Sequence, residues 1–244
     1  MNPQTPQIDI IQPCYNPLPN WEQSVWLHFQ NVLRLLPEYT VNLIIVNDGS
    51  TKNVNEAQVD FLKQRIPNFT FINFKKNKGK GNALREGIKI STGKFQLYTD
   101  IDFPFELMHI KEIINWLDHG ADIVSGVRKQ NYYQTLSPQR WIASKASQFL
   151  NKTFLNLPFN DTQSGIKGLN SNGKRVFLKT TINRYLADTE FLALAAKYKL
   201  TIHPLEVSLR EDIVLSKMSL KTFMKELDNF IRIYAIIFKS SKES

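Results

Sequence analysis

The chain has 244 residues and a net charge of +9, with 42% hydrophobic and 11% aromatic residues. This is enough for one globular domain with a sizeable core, and it contains no run of about 20 apolar residues to cross a bilayer. Cys14 is the only cysteine and the four histidines are scattered. An internal disulfide is therefore excluded, a structural zinc site is disfavoured, and a reducing, cytoplasmic compartment is expected. The positive balance points to an anionic partner, but no basic block with interleaved aromatics argues for nucleic acid.

In chain order, Met1–Gln7 is polar and lacks a basic-then-apolar leader pattern. Ile8–Gln12 is a β-branched run closed by Pro13, a buried-strand pattern. Trp21–Leu36 carries apolar residues at helical spacing and ends at Pro37. Val41–Val46 predicts a second strand, turning at Asn47-Asp48-Gly49-Ser50. Helices are predicted over Val54–Arg65, Asn82–Ile90 and Glu106–Leu117, and strands over Phe69–Phe74, Lys94–Thr99 and Ala121–Ser125. Strand and helix thus alternate from 8 to 125, which predicts a mostly parallel sheet with helices on both faces. Beyond Gly126 come a basic amphipathic helix over Pro138–Leu155, short strands at Ile166–Leu169 and Leu200–Val207, and a helix over Thr189–Tyr198. Met218–Phe238 forms a wide apolar stripe with Lys221, Lys225, Arg232 and Lys239 elsewhere.

Tyr98-Thr99-Asp100-Ile101-Asp102 places two carboxylates, spaced i and i+2, at the C-terminal tip of a strand. Residues so spaced share one face, and open α/β sheets bind ligands at such tips. Two adjacent carboxylates repel unless a cation lies between them. The pair is a candidate Mg²⁺ or Mn²⁺ site holding a diphosphate; a solvated acidic loop is the alternative. Gly79-Lys80-Gly81-Asn82-Ala83 opens a helix after a strand. It fits neither the dinucleotide nor the P-loop pattern, leaving a diphosphate-binding turn with Lys78 and Lys80, or a tight turn that needs glycine. Asp48 either accepts from a base or ribose or belongs to a plain turn. Tyr15, after Pro13, either stacks on a base or packs.

Taken in order, Pro13-Cys14-Tyr15-Asn16, Val46–Ser50, Asn77–Ala83 with Gly87, and Asp100–Asp102 resemble glycosyltransferase family 2. Ser125–Arg128, Arg140 with Ser144, Asp161–Lys167, Asp188-Thr189-Glu190, and Arg210 followed by Ser216-Lys217-Met218 resemble its polyprenyl-phosphate branch. The Asp161–Lys167 run is most similar to dolichyl-phosphate glucosyltransferases. The resemblance covers about residues 8 to 238 and implies a GT-A fold, an α/β, Rossmann-like nucleotide-diphospho-sugar transferase architecture. It implies a single domain over 1–244: a nucleotide-sugar half (8–125), an acceptor half (126–217) and a C-terminal amphipathic helix (218–238).

What the resemblance implies functionally is inverting, metal-dependent hexose transfer from UDP-glucose or GDP-mannose, with glucose favoured, to polyprenyl phosphate. Transfer to a saccharide hydroxyl and a silent nucleotide-sugar-binding module are the alternatives. Pro13, Tyr15, Asn16, Asp48, Lys80 and Gly81 would contact the donor, and Asp100 and Asp102 would hold the metal. Lys80, Arg210 and Lys217 would add positive field around the phosphates. Arg128, Arg140 and Lys145 fall where the family binds the acceptor phosphate. Asp188 and Glu190 would be the general base for a hydroxyl acceptor; with a phosphate acceptor they would orient the donor sugar or the basic cluster. A buried carboxylate paired with Arg184 or Lys167 is their structural alternative. The chain departs from the family pattern at Pro17, where Glu is common, and at Phe103-Pro104-Phe105, where mannosyl relatives carry Gln-His-Pro and so a further metal-ligand candidate. It also lacks the membrane anchor of many relatives, and residues 218–238 are the expected peripheral contact with a cytoplasmic membrane face.

Overall fold

The computed structural model describes residues 6–128, 161–184, 186–211 and 213. The expected helices over 138–155 and 218–238, with Arg140, Ser144, Lys145 and Lys217, lie outside the described residues. The elements run β1 (Gln7–Cys14), α1 (Trp21–Leu35), β2 (Thr40–Asn47), α2 (Glu56–Arg65), β3 (Phe69–Asn73), α3 (Lys80–Ile90), β4 (Phe95–Tyr98), α4 (Met108–Asp118) and β5 (Ile123–Arg128), continuing with β6 (Lys167–Leu169), α5 (Ser171–Phe177), α6 (Ala187–Lys197) and β7 (Ile202–Val207).

The strands form one seven-stranded sheet in the order β3-β2-β1-β4-β6-β5-β7. β1 pairs in parallel with β2 and β4, as do β2 with β3 and β5 with β7. Only β6 is antiparallel, wedged between β4 and β5. The expected mostly parallel sheet is therefore present, and the short strand at 167–169 stitches β5 and β7 onto the first four strands.

A parallel sheet must be covered on both faces, and alternation along the strands supplies two apolar faces. Ile8, Ile10, Leu43, Ile45 and Leu97 meet Val25, Phe29 and Val32 of α1, Leu62 of α2 and Ile110, Ile113 and Leu117 of α4. On the other face Ile11, Ile44, Val46 and Tyr98 meet Ala83, Leu84 and Ile88 of α3, Phe177 of α5 and Phe191 and Leu192 of α6. α2 starts on a reciprocal cap: Asn55 accepts from the Gln58 backbone, and the Gln58 side chain accepts from Asn55.

β1 extends two residues beyond its expected end, through Pro13. The register explains this. Odd residues of β1 bond toward β4 (Thr99 N donates to Ile11 O) and even ones toward β2 (Asp48 N donates to Cys14 O). β4 ends opposite Ile11, so the donor that proline lacks would point past the end of β4. α5 was not anticipated. It is held by Asn170, whose side chain accepts from Asn172 N and Gly173 N, and by Asp122, which accepts from the amides of Asn170 and Asn172.

Candidate active site

The carboxyl ends of β1, β2 and β4 bring Tyr15, Asn16, Asp48, Asp100 and Asp102 to one edge of the sheet. Asn16 takes a left-handed backbone (φ 47°), which asparagine tolerates better than most residues. Its side chain accepts from Thr51 N at 2.8 Å and Lys52 N at 3.1 Å, and its own N–H donates to Ser50 Oγ at 2.8 Å. Asn16 thereby ties the loop after β1 to the loop after β2. Beside it Tyr15 is 52% exposed, leaving its ring face available at the edge instead of packed in the core. Cys14 is buried and its thiol is pushed up to about 12 by burial, so it stays an un-ionised packing group.

Asp48 is buried and accepts from Lys78 N at 2.7 Å and Gly79 N at 2.8 Å. Its oxygens thus hold the backbone of the glycine-rich turn. That turn receives a second segment: Asn183 O accepts from Gly81 N at 2.8 Å and from Asn82 N at 3.4 Å. A Cβ on Gly79 would overlap Asn183 O, and one on Gly81 would lie 2.5 Å from Ile182 O. Both glycines make room for the 182–183 backbone. Of the two readings of this turn, the backbone matches the tight turn that needs its glycines. Four of its amides (78, 79, 81 and 82) are already bonded within the protein, and what the turn presents beyond them is the side chain of Lys80.

The Lys80 ammonium forms an ion pair with Asp100 Oδ1. Asp100 is held from three sides: its carbonyl accepts from Gln12 Nε2 at 3.1 Å and from Phe103 N at 3.0 Å, and Oδ2 lies so close to Gly165 that a Cβ there would overlap it. Asp102 stands at the exposed lip of the site. Partial burial, then the charge of Asp100, raise its carboxyl above the ordinary value against the opposing pull of Arg210 and Lys80.

The segment after Asp102 is apolar and packs into the core. Phe103 turns the chain with φ 45°, and Phe103 and Phe105 are buried against the α1/α4 core. Phe105 bridges Leu209, and Arg210 N donates to Pro104 O at 3.0 Å. This pairing brings Arg210 toward Asp102, with its guanidinium also reaching the ring of His28 on α1.

At the tip of β5, Arg128 grips Asp161 through N (2.9 Å), Nε (2.8 Å) and Nη2 (2.6 Å). Burial raises the Asp161 carboxyl, but the Arg128 bonds and charge outweigh it and hold the carboxyl below its ordinary value. Residues 161–166 then run from Arg128 to Asp100, with Gly165 abutting Asp100. Lys167, fully buried, donates to Ser164 O at 2.7 Å and lies 3.2 Å from Asp188 Oδ1, which also accepts from Tyr98 OH at 2.5 Å. Both oxygens of buried Glu190 accept from the 181–182 segment: Thr181 N, Thr181 Oγ1 at 2.8 Å and Ile182 N at 2.8 Å. The structural alternative therefore describes Asp188, which lies against Lys167, while Glu190 is held by a backbone turn instead of by Arg184 or Lys167.

The structure thus gathers Asp48, Lys80, Gly81, Asp100, Asp102 and Arg210, and links Arg128 to them through 161–166. Gln12, Gly165 and Asn183 were not anticipated. Gly165 sits within a run already singled out, yet nothing local marks it as the neighbour of a carboxylate 65 positions earlier.

The chain matches the model of glycosyl transferase family 2 over residues 9–173. It belongs to that family. Among curated relatives, this family 2 chain is 27% identical over 243 residues to a dolichyl-phosphate beta-glucosyltransferase of Trichomonas vaginalis, covering 95% of this chain and 74% of that one. It is 25% identical over 217 residues to the dolichyl-phosphate beta-glucosyltransferase of Dictyostelium discoideum, covering 84% and 66%. The chain thus spans about two thirds to three quarters of the length of these relatives. Among solved structures it resembles glucosyl-3-phosphoglycerate synthase of Mycobacterium tuberculosis in complex with Mn²⁺, UDP and phosphoglyceric acid. The TM-score is 0.63 at 14% identity, over 95% of this chain and 78% of that one. At that identity the likeness establishes the fold, and it is the GT-A fold the motifs imply.

Proposed function

We propose that this family 2 glycosyltransferase moves a hexose, with glucose favoured, from a nucleotide-sugar to polyprenyl phosphate with inversion. The observation that carries the reading is the Asp100–Asp102 pair at the tip of β4, flanked by Lys80 and Arg210. The similarity to dolichyl-phosphate beta-glucosyltransferases over most of the chain supports the donor and acceptor classes. The division into a donor half (8–125) and an acceptor half (126–217) belongs to the same reading.

The donor set fits a divalent ion: two hard carboxylate oxygen groups, one of them raised first by burial and then by the other's charge, a penalty that a cation relieves. Asp100 and Asp102 would hold Mg²⁺ or Mn²⁺. Among the described residues no cluster of three or more Asp, Glu, His or Cys is placed to hold a metal, so diphosphate oxygens would complete the shell. Such an ion neutralises charge on the departing nucleoside diphosphate. Arg210 and Lys80 add fixed positive field there, and Tyr15 offers its exposed ring to the base.

The acceptor reading rests on acid–base chemistry. A sugar hydroxyl needs a general base in reach, whereas a lipid phosphate is already ionised at neutral pH. Asp188 and Glu190, the two base candidates, are engaged by Lys167 and Tyr98 and by the 181–182 amides. That engagement favours the phosphate acceptor, with Arg128 at the β5 tip and Arg140 as its expected binders. Among the described residues no helix is long and apolar enough to cross a membrane. Access to a lipid acceptor would come through peripheral contact of residues 218–238 with the cytoplasmic face. The test is nucleotide release from UDP-glucose or GDP-mannose with Mn²⁺, with and without polyprenyl phosphate. Release that depends on the lipid phosphate is expected; release equally fast with a saccharide alone would overturn the acceptor assignment.

A further inference from the structure

Lys80 and a divalent ion have the same carboxylate to bind. The backbone of Asp100 is fixed, and one side of its carboxylate is closed by Gly165. The Asp100 carbonyl is held by Gln12 Nε2 and Phe103 N, and its Oδ2 is pressed against the Gly165 backbone. The backbone around Lys80 is equally fixed, because Gly79 N donates to Asp48 and Gly81 N to Asn183 O. The ammonium of Lys80 sits at the end of a four-carbon stem, in a pair whose side chains are 27% (Lys80) and 39% (Asp100) exposed. An ammonium on such a stem is a rotatable point charge.

We propose that Lys80 is a tethered cation that occupies Asp100 before the divalent ion does, and that it leaves Asp100 for the nucleoside diphosphate. The inference rests on the metal reading of Asp100 and Asp102, and it adds an order to binding. Lys80 in place repels an incoming dication, so the ion alone binds weakly. A diphosphate accepts Lys80 and removes that repulsion, so ion and nucleotide tighten each other's binding by the same factor, as linkage requires. Lys80 would then serve twice, keeping the two carboxylates compensated in the resting protein and clasping a phosphate in the loaded one.

The test measures Mn²⁺ binding to the full chain from the EPR signal of the free ion. It compares wild type, Lys80→Met and Lys80→Arg, without nucleotide and with UDP or, in parallel, GDP. Lys80→Met is expected to bind Mn²⁺ alone about tenfold more tightly than wild type, the order expected for removing a unit charge a few ångströms away. The nucleotide should then add less to its Mn²⁺ affinity than to that of wild type. Lys80→Arg keeps the charge and should follow wild type. Lys80→Met binding no more tightly, or Lys80→Arg matching Lys80→Met, would overturn the exchange. A measurement on the wild-type chain removes any dependence on variant folding. Acetylation of Lys80 by acetic anhydride, read by mass spectrometry, should rise with Mn²⁺ alone and fall when the nucleotide is added. Unchanged labelling would overturn the proposal. A wild-type chain that binds no Mn²⁺ with or without nucleotide overturns it as well, whereas turnover independent of polyprenyl phosphate defeats only the acceptor assignment.

Discussion

Asp102 shows how one side chain trades stability for function. Its folded pKa is raised, first by partial burial and then by Asp100. A raised carboxyl prefers its proton in the folded state, so stability is lost as pH rises from the unfolded value through the folded one. In the metal-free protein, Asp102→Asn is therefore expected to raise the melting temperature at pH 7 and to flatten its decline between acidic and neutral pH. The same variant should lower kcat by about 10²-fold or more at saturating Mn²⁺, the order seen when one preorganised electrostatic contact is removed. A melting temperature below wild type, or near-normal turnover, would contradict the assignment. Because only the ionised carboxylate binds a cation, proton and metal compete for it, and the Mn²⁺ concentration needed for half-maximal turnover should rise as the pH is lowered. Gly165 offers a second single-residue test. Gly165→Ala places a methyl group on Asp100 Oδ2, and it should weaken Mn²⁺ binding and lower kcat/KM by about tenfold or more, since small misplacements at a reacting centre cost that much.

At the scale of elements, α6 is tied into the site through two buried acids. Glu190 holds the 181–182 turn, and the adjacent Asn183 carbonyl sits on the start of α3, the helix that carries Lys80. Arg85 braces the same turn from α3 by donating to Ile182 O at 2.8 Å. Glu190→Gln should destabilise the fold by about 1–3 kcal/mol, because a buried amide faces donors that a carboxylate satisfied. Its main kinetic effect should be on the KM for the nucleotide-sugar. A general base would behave otherwise: kcat would fall by about 10²–10⁴-fold with the melting temperature unchanged. Lys167→Met leaves Asp188 buried without its cation and should cost about 3–5 kcal/mol in a denaturant titration. Helix boundaries follow the same logic of local partners. α5 was overlooked because it is only seven residues long and its hold comes from Asn170 and Asp122, the latter contributed by the start of β5.

Across the whole molecule, the sheet is the device that unites the two stretches of sequence. β6 lies between β4 and β5, so Lys167 of the later stretch stands opposite Tyr98 of the earlier one, two positions before Asp100. That single antiparallel insertion brings the 161–166 segment against the carboxylate pair and Arg128 to the same side. The +9 charge acts at this scale too. If polyprenyl phosphate is presented in anionic vesicles, turnover should decline as salt rises through about 0.15 M, where the Debye length is about 8 Å, and decline less with a detergent-dispersed acceptor. Equal salt dependence in both settings would argue against an electrostatic membrane contact.

Strand and helix order, the two apolar faces and the carboxylate pair at the end of β4 were legible in the sequence, because periodicity and strand-tip position depend on neighbours a few residues apart. The Gly79–Gly81 turn was recognised, yet its partner was not. Whether its amides face a diphosphate or the Asn183 carbonyl depends on a segment far along the chain, and nothing local encodes that encounter. The same holds for Gly165 against Asp100 and for Asp161 against Arg128, whereas Lys167 against Asp188 was one of two pairings the sequence left open. A sequence sets each group's chemistry, but only the packed sheet determines which opposite charges come within a few ångströms of one another. That distance decides whether a carboxylate is free to bind a ligand or is already engaged by the protein.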